Sequence, residues 1–440
     1  MRRVVIMGAG GRDFHDFAQL YRDDPGVEVV AFTAAQIPGI ADRTYPASLA
    51  GPRYPHGIPI RPEEELADLV RGRAVDEVLL AYSDLAHEEV MHRASIALAA
   101  GADFRLAGPR STMLASTRPV VAVCAVRTGC GKSPTSRRIG QLLRERGRSV
   151  ALIRHPMPYG DLEAMRVQRF ATLAELDAAR PTVEEREEYE LPLSHGITVW
   201  AGVDYEAILH AAEAEADVIL WDGGNNDLPF VRPDLLVCVV DPLRPGHELA
   251  YHPGEAVLRL ADAVLVNKVD AAPDEAVGQV VRNVRTVNPG AVLLRAASPV
   301  TLEPGRSIVG ARVLVVEDGP TATHGGMPYG AGTVAARQGG AAELVDPRPW
   351  LVGSLRETFA RYPSIGAALP AMGYSDAQLD DLAATIDAVE CDVVVSGTPV
   401  DLSRLIRTRH PIRRAGYELQ ELGSPTLVDL LAPILERTGG

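Results

Sequence analysis

Lysine is almost missing from this chain of 440 residues. Of its 44 basic residues, only Lys132 and Lys268 are lysines, and the others are arginines. A chain that uses arginine wherever a cation suffices keeps lysine where a compact charge on a flexible stem is needed. The two lysines, each of which follows a predicted strand, are therefore candidate functional residues.

Cysteines and long apolar runs are also scarce. None of the four cysteines forms a Cys-x-x-Cys pair or lies at zinc-finger spacing from a histidine, which argues against a disulfide framework or a zinc site. The apolar run after the N-terminus is too short for a signal peptide, and no run approaches the ~18 apolar residues of a membrane span. We expect a soluble cytoplasmic protein.

Positive charge is in deficit, since 58 acidic residues against 44 basic ones give a formal net charge of −14. An acidic chain is a poor candidate for binding nucleic acid or an anionic membrane. We expect neither partner, and any phosphate site must be built from local groups. Hydrophobic residues make up 46% and charged residues 23% of the chain, as in ordinary globular proteins.

The order of apolar runs and helical stretches predicts an α/β fold. Short buried strands alternate with helices, which is typical of parallel sheets with right-handed crossovers. We predict a Rossmann-like domain over 1–116, a P-loop NTPase domain with a parallel sheet over 117–345, and a small C-terminal α/β domain over 346–440. A strand at 313–316 is expected to close the central domain. The Gly- and Pro-rich stretch 319–340 is expected to form a long loop.

The strongest local signal is a glycine turn after the apolar strand 120–126. The turn consists of Arg127, Thr128, Gly129, Cys130, Gly131, Lys132 and Ser133. Backbone N–H groups of such a turn and of the following helix cradle a polyphosphate. Lys132 would reach the β- and γ-phosphates, and the Ser133 hydroxyl would bind Mg²⁺. Val126 stands where the standard P-loop pattern has glycine. Arg127 takes the place of the lysine of a P-loop variant in which an extra cation contacts nucleotide across a dimer.

Two further strand ends carry polar residues. Asp222 follows the buried strand 217–221, where a carboxylate can order magnesium beside a P-loop. Gly223 and Gly224 allow a ligand to approach the backbone closely, and Asn225, Asn226 and Asp227 could orient substrate or water. Asn267, Lys268 and Asp270 form an Asn-Lys-x-Asp string after the strand 263–266. This string predicts contacts near the nucleotide base but leaves ATP and GTP open.

Two other loops offer positive charge for a substrate. Arg154 and His155 follow one predicted strand, and Arg244 and His247 follow another. Ligands of open α/β sheets bind beyond the carboxyl ends of the strands, so these side chains are candidate substrate contacts.

The N-terminal glycine turn resembles a dinucleotide fingerprint, but Asp13 stands where the third glycine belongs. This argues against NAD binding. With Arg12 and His15, the turn still suits a small phosphorylated or carboxylated ligand. The later Gly- and Pro-rich stretch could present His324 to an anion.

Longer strings resemble cyclic 2,3-diphosphoglycerate synthetase and its bacterial relatives. They lie at 11–17, 126–133, 184–190, 221–227, 241–248 and 317–330. The resemblance implies an ATP- and Mg²⁺-dependent, dimeric cytoplasmic ligase that closes 2,3-diphosphoglycerate into a cyclic pyrophosphate and releases ADP and phosphate. It places the nucleotide and Mg²⁺ at Lys132, Ser133 and Asp222. The substrate would lie against Arg154, His155, Arg244 and His247, with Arg12 or His324.

Two alternatives stay open at this point. One is an ATP-dependent ligase or kinase that acts on another small phosphorylated acid. The other is a dimeric GTPase or ATPase switch that responds to a protein partner, and the Asn-Lys-x-Asp string favours GTP and therefore this alternative.

Overall fold

The computed structural model describes residues 1–35, 43–155, 160–223, 227–323, 327–372 and 375–438. Three predominantly parallel sheets, flanked by helices, and one two-stranded antiparallel sheet make up this part of the chain. The mixed α/β class with parallel sheets is therefore confirmed. The predicted residues Gly224, Asn225, Asn226 and His324 lie outside the described ranges.

The first sheet has the strand order β3-β4-β2-β1-β5-β7 and is parallel except at β3. Its segment of the chain contains β1 (Arg2–Met7), α1 (Arg12–Leu20), β2 (Val27–Ala34), β3 (Thr44–Tyr45), α2 (Ala47–Ala50), β4 (Ile58–Pro62), α3 (Leu66–Arg73), β5 (Glu77–Leu80), β6 (Leu85–Ala86), α4 (His87–Ala100), β7 (Asp103–Leu106) and α5 (Pro109–Thr112). The central strand β1 is buried from Val4 to Met7, as expected for a parallel sheet covered on both faces.

The second sheet is the largest and carries the glycine turn. Its elements are β8 (Val120–Ala125), α6 (Lys132–Arg144), β9 (Val150–Arg154), β10 (Gln168–Phe170), α7 (Leu173–Ala179), α8 (Val183–Ser194), β11 (Thr198–Ala201), α9 (Tyr205–Glu215), β12 (Val218–Asp222), β13 (Leu235–Val240), β14 (Tyr251–His252), α10 (Gly254–Leu260), β15 (Ala263–Val266), α11 (Asp274–Val287) and β16 (Val292–Ala297). The strand order is β10-β11-β9-β12-β8-β13-β15-β16, and β14 pairs with β6 instead. Strand β8 lies between β12 and β13, so the turn after it meets both of their carboxyl ends.

The third sheet is formed by most of the remaining strands. The elements are β17 (Val300–Leu302), β18 (Arg312–Asp318), α12 (Gly319–Ala322), α13 (Ala331–Gln338), β19 (Glu343–Leu344), α14 (Ser354–Arg361), β20 (Leu369–Ala371), α15 (Asp376–Ala388), β21 (Val393–Ser396), α16 (Leu402–Leu405), β22 (Ile412–Tyr417), β23 (Gln420–Leu422) and α17 (Leu427–Arg437). The order is β17-β22-β21-β18-β19, with β20 also on β18. Strand β23 instead pairs with β16, and α17 joins the core of the second sheet.

Two sequence-based expectations about this region are wrong. The strand at 313–316 belongs to the third sheet, because it pairs in parallel with β19, β20 and β21. The stretch 319–340 contains helices α12 and α13 rather than one long loop. The buried carboxylate of Glu317 accepts hydrogen bonds from the N–H groups of Gly330, Gly332 and Thr333, which supply an N-terminal anchor for α13. The predicted domain limits themselves stay predictions.

No helix within the described ranges combines the length and the apolar character needed to cross a membrane.

Candidate functional site

The glycine turn is braced from the neighbouring strand end. Gly131 has φ 107°, and a side chain there would overlap the amide of Asn267, so the position requires glycine. Asn267 Nδ2 donates to the carbonyl of Cys130 at 2.9 Å, and Lys268 Nζ donates to the carbonyl of Gly129 at 2.6 Å. Two residues of the Asn-Lys-x-Asp string therefore hold the turn itself.

Asp222 lies between two buried cations. The register of β9 and β12 sets Asp222 directly beside Arg154, and its carboxylate accepts from Arg154 and from Lys132 Nζ. Burial opposes ionisation of Asp222, but the charges of Arg154 and Lys132 outweigh it and lower its pKa. Burial lowers the pKa of Lys132. Arg154 also contacts Glu188 on α8, so it lies between the carboxylates of Asp222 and Glu188.

Arg244 also contacts the glycine turn. Its guanidinium donates to the carbonyl of Thr128 at 2.7 Å and to Asp241 at 3.2 Å. Lys268 Nζ reaches the same Asp241 oxygen at 2.9 Å. The structure thus places Arg244 on the backbone of the turn, where it fixes the position of the glycine turn.

Arg127 and His247 lie together at the boundary between the first and second sheets. Arg127 Nε is 2.7 Å from Asp84, its NH1 is 3.1 Å from His247 Nδ1, and its guanidinium lies 3.6 Å from the ring centroid of Tyr251. These contacts within the chain enclose Arg127. The contact across a dimer stays a prediction, as does the dimer.

The N-terminal glycine turn does not present the anion cradle expected for it. Asp13 accepts hydrogen bonds from the backbone N–H groups of Gly10, Gly11 and Phe14 at 2.8–3.1 Å. A phosphate would need these same donors, and the carboxylate would repel it. His15 is buried and stacks on Phe230 with a centroid separation of 4.2 Å.

A cavity of about 790 Å³ joins these elements. It is lined by residues of all three sheet regions, including Thr128, Gly129, Gly131, Lys132, Ser133, Arg154, His155, Asp227, Lys268 and Asp270. Asp270 also accepts from the N–H of Ser298 at 3.0 Å. Most of the residues predicted for the nucleotide therefore share one cavity with Arg154, His155 and Asp227. The predicted residues that do not line it are Arg127, Cys130, Asp222, Asn267, Arg244 and His247.

The charge of the cavity lining is the feature that the sequence did not reveal. Nine carboxylates line it, from Asp13, Asp84, Glu89, Glu187, Glu188, Asp227, Asp270, Glu317 and Asp318, against five cations, from Arg12, Lys132, Arg137, Arg154 and Lys268. Among the described residues, four of these cations form ion pairs with carboxylates and Arg137 forms neither an ion pair nor a hydrogen bond. Burial raises the pKa of Asp13, Asp227 and Glu317, but the other six carboxylates still outnumber the five cations, so the lining favours a substrate that brings positive or neutral groups.

Sequence reasoning missed Arg137, Glu187 and Glu317 at the cavity. Arg137 lies in the helix after the glycine turn, five residues beyond Lys132. This position close to the turn was the one sequence signal that could have indicated it. Glu187 belongs to an acidic run that was noted only as part of the resemblance. Glu317 follows a strand expected in a different sheet, so its approach to the cavity depended on the third sheet.

Comparison with known proteins identifies one strong relative. Over 430 residues the chain is 56% identical to the protein named arginine synthetase ArcE of Thermococcus kodakarensis, covering 98% of this chain and 96% of that protein. No family model matches. The relative is a synthetase, as predicted, but its name specifies arginine rather than cyclic 2,3-diphosphoglycerate.

Solved structures give weak overall likenesses. LpxK of Aquifex aeolicus, in a structure with ATP, is 14% identical and has a TM-score of 0.42 over 74% of this chain and 90% of its own. The hydrogenase maturation factor HypB of Archaeoglobus fulgidus is 15% identical, with a TM-score of 0.26 over 42% of this chain and 82% of its own.

Proposed function

Because the chain belongs to the family of the arginine synthetase ArcE, we propose that it is an ATP-dependent synthetase that forms arginine. The observation that carries the choice of substrate is the excess of carboxylates around the cavity. Such a lining attracts ammonium and guanidinium groups. It offers 2,3-diphosphoglycerate no second set of free cations beyond the groups expected to hold ATP, since four of the five lining cations are paired with carboxylates.

The chemistry of arginine defines its precursor. A P-loop presents the γ-phosphoryl group of ATP to an acceptor oxygen, and that oxygen must then leave with the phosphate. Replacing one guanidino nitrogen of arginine by oxygen gives the ureido amino acid citrulline. We therefore assign the reaction as citrulline, ammonia and ATP giving arginine, ADP and phosphate. The ureido oxygen attacks the γ-phosphorus with loss of ADP, and ammonia then displaces the phosphate at carbon.

In this scheme we assign roles to the glycine turn of the second sheet and to the residues that hold it. The backbone N–H groups of 129–133 would hold the ATP phosphates, with the turn kept in place by Asn267, Lys268 and Arg244. Lys132 lies at the start of α6 and would turn from Asp222 to the transferred phosphoryl group. Positioning and charge neutralisation supply most of the rate of such transfers.

The Ser133 hydroxyl and the Asp222 carboxylate fit Mg²⁺. This ion is usually bound by one or two carboxylates together with substrate phosphates. Lys132 and Arg154 each hold one carboxylate oxygen of Asp222, so Mg²⁺ would take the place of Lys132 when Lys132 turns to the nucleotide. Bound there, Mg²⁺ would neutralise charge on the nucleotide phosphates.

Arg137 is our candidate for the α-carboxylate of citrulline. Its guanidinium lines the cavity near Tyr417 of the third sheet and, among the described residues, forms no hydrogen bond or ion pair. We expect Arg137→Ala to raise the KM for citrulline roughly 10- to 100-fold, since a charge-assisted hydrogen bond contributes about 1.5–3 kcal/mol. The KM for ATP should change less than about twofold.

Arg138→Ala is the matched control for this prediction. Arg138 is the next residue of α6, but it lies near Glu145 and Glu421, away from the cavity lining. It should leave both KM values near wild type. An Arg137→Ala effect on the KM for ATP alone would assign this guanidinium to the nucleotide instead.

ADP release by the purified protein tests the proposed function. With Mg²⁺ and ATP, we expect release to require citrulline and ammonium together and to accompany arginine formation in equal amounts. The same assay with 2,3-diphosphoglycerate tests the alternative implied by the resemblance, and GTP in place of ATP tests the nucleotide. ADP release that depends on 2,3-diphosphoglycerate and ignores citrulline would contradict the proposal.

A further inference from the structure

Two buried acceptor atoms face each other where the first sheet meets the second. Asp227 is 3% exposed, and its Oδ2 lies 4.0 Å from His155 Nδ1. Within the described ranges, neither His155 Nδ1 nor Asp227 Oδ1 has a hydrogen-bond partner. Both residues line the cavity. Buried polar atoms are nearly always paired, so this arrangement points to a donor that arrives with the substrates.

The histidine presents a lone pair rather than a proton to this gap. A neutral imidazole carries one N–H and one lone pair, and the unpartnered Nδ1 is the ring atom available to accept from a ligand. Burial lowers the pKa of His155 to about 4, so the ring stays neutral at physiological pH. The missing ligand must therefore donate to a nitrogen and to a carboxylate at once.

Charges of both signs surround the gap. The carboxylates of Asp13 and Asp16 and the guanidinium of Arg12 act on Asp227, whereas Arg154, Lys132 and Arg12 act on His155. Each of these cations already faces a carboxylate, Asp222 for Lys132 and Arg154 and Asp16 for Arg12, so the two unpartnered acceptor atoms are what favours a cationic donor. The Asp227 carboxylate comes within 4.0 Å of His155 Nδ1 through Oδ2, so a ligand that donates both to Nδ1 and to the unpartnered Oδ1 at ordinary hydrogen-bond length must be small.

We propose that Asp227 and His155 bind the ammonium ion that supplies the new guanidino nitrogen, and that Asp227 accepts a proton from it. This inference rests on the proposed function. Ammonium cannot attack carbon until it loses a proton, because all of its electron pairs are in N–H bonds. The proton passes to the Asp227 carboxylate, and the freed lone pair forms the C–N bond. A second ammonium proton leaves with the departing phosphate as its C–O bond breaks, and arginine keeps the guanidinium charge.

The environment suits Asp227 to this role as a base. Burial raises its pKa to about 7, while the charge of Arg12 acts in the opposite direction. A base with a pKa near the working pH transfers protons most effectively. Asp227 then returns its proton to solvent once the products leave.

The test compares two nucleophiles on the complete enzyme. Ammonium needs a base, whereas hydroxylamine is largely uncharged at neutral pH and does not. We expect Asp227→Asn to lower kcat/KM for ammonium by about 100-fold or more, with ADP release driven by hydroxylamine within about fivefold of wild type. His155→Ala should raise the KM for ammonium and leave the KM for ATP unchanged.

Asp16→Asn is the matched control. Asp16 is fully buried beside the same arginine, but it does not line the cavity, and its variant should keep the wild-type ratio of the two nucleophiles. The inference is overturned if Asp227→Asn lowers kcat/KM for ammonium and for hydroxylamine equally. It is also overturned if the KM for ammonium is unchanged in both site variants, a result that would assign the gap to a structural water. If Asp227→Asn fails to fold, the KM of His155→Ala for ammonium decides the test. A wild-type enzyme that makes no arginine contradicts the proposed function instead.

Discussion

Lys132→Ala is expected to lower the rate of ADP release by about 10²- to 10³-fold, the range found when one preorganised donor to a transition-state charge is removed. Lys132 begins the helix that follows the glycine turn and lines the cavity beside Ser133. Its loss leaves Asp222 paired with Arg154, so the fold should survive. Steady-state kinetics and thermal unfolding of the same preparation separate the two effects.

Lys132→Arg is the informative companion of this variant. Nearly all other cations of the chain are arginines, so an arginine at position 132 preserves charge and removes only the compact shape. We expect it to be almost as inactive as Lys132→Ala, because a planar fork cannot replace the point charge within the closed turn. Full activity of Lys132→Arg would contradict the argument that the chain keeps lysine at position 132 for its compact shape.

Asp222→Asn is expected to have the largest effect on stability. The 1%-exposed carboxylate of Asp222 neutralises Arg154, which is only 2% exposed, and also contacts Lys132. Without its charge, Lys132 loses its carboxylate partner and Arg154 keeps only Glu188. Breaking a buried ion pair from one side costs about 3–5 kcal/mol, and denaturant unfolding should show a loss of this size together with loss of activity.

Glu215→Gln is the matched control for Asp222→Asn. Glu215 pairs with Arg169 at 2.8 Å, but both side chains are about 40% or more exposed, and exposed ion pairs contribute at most ~1 kcal/mol. If Asp222→Asn were no more destabilising than Glu215→Gln, the buried charge cluster would not contribute to the fold as described.

The sequence predicted the parts of the site that lie within one strand and its following turn. The glycine turn, Asn267 and Lys268 share one place in the fold because parallel strands end at the same edge of a sheet. Glycine spacing and the rarity of lysine were sufficient signals for these residues.

Features that depend on contacts between distant segments could not be predicted in this way. Asp13 looked like a defect in a glycine fingerprint, but it caps the turn with its own carboxylate. Arg244 looked like a substrate contact, but it holds the backbone of Thr128. The net charge of the cavity combines side chains from three sheets, so a motif in one segment could not reveal which substrate the cavity favours.

The most direct test of the account follows the ureido oxygen of citrulline. The enzyme is supplied with Mg²⁺, ATP, ammonium and citrulline labelled with ¹⁸O in the ureido group, and the products are examined by ³¹P NMR. We predict one ¹⁸O atom in inorganic phosphate for each arginine formed, since that oxygen accepts the γ-phosphoryl group and leaves with it. Arginine formed with unlabelled phosphate, or label found in AMP, would contradict phosphoryl transfer to citrulline at this site.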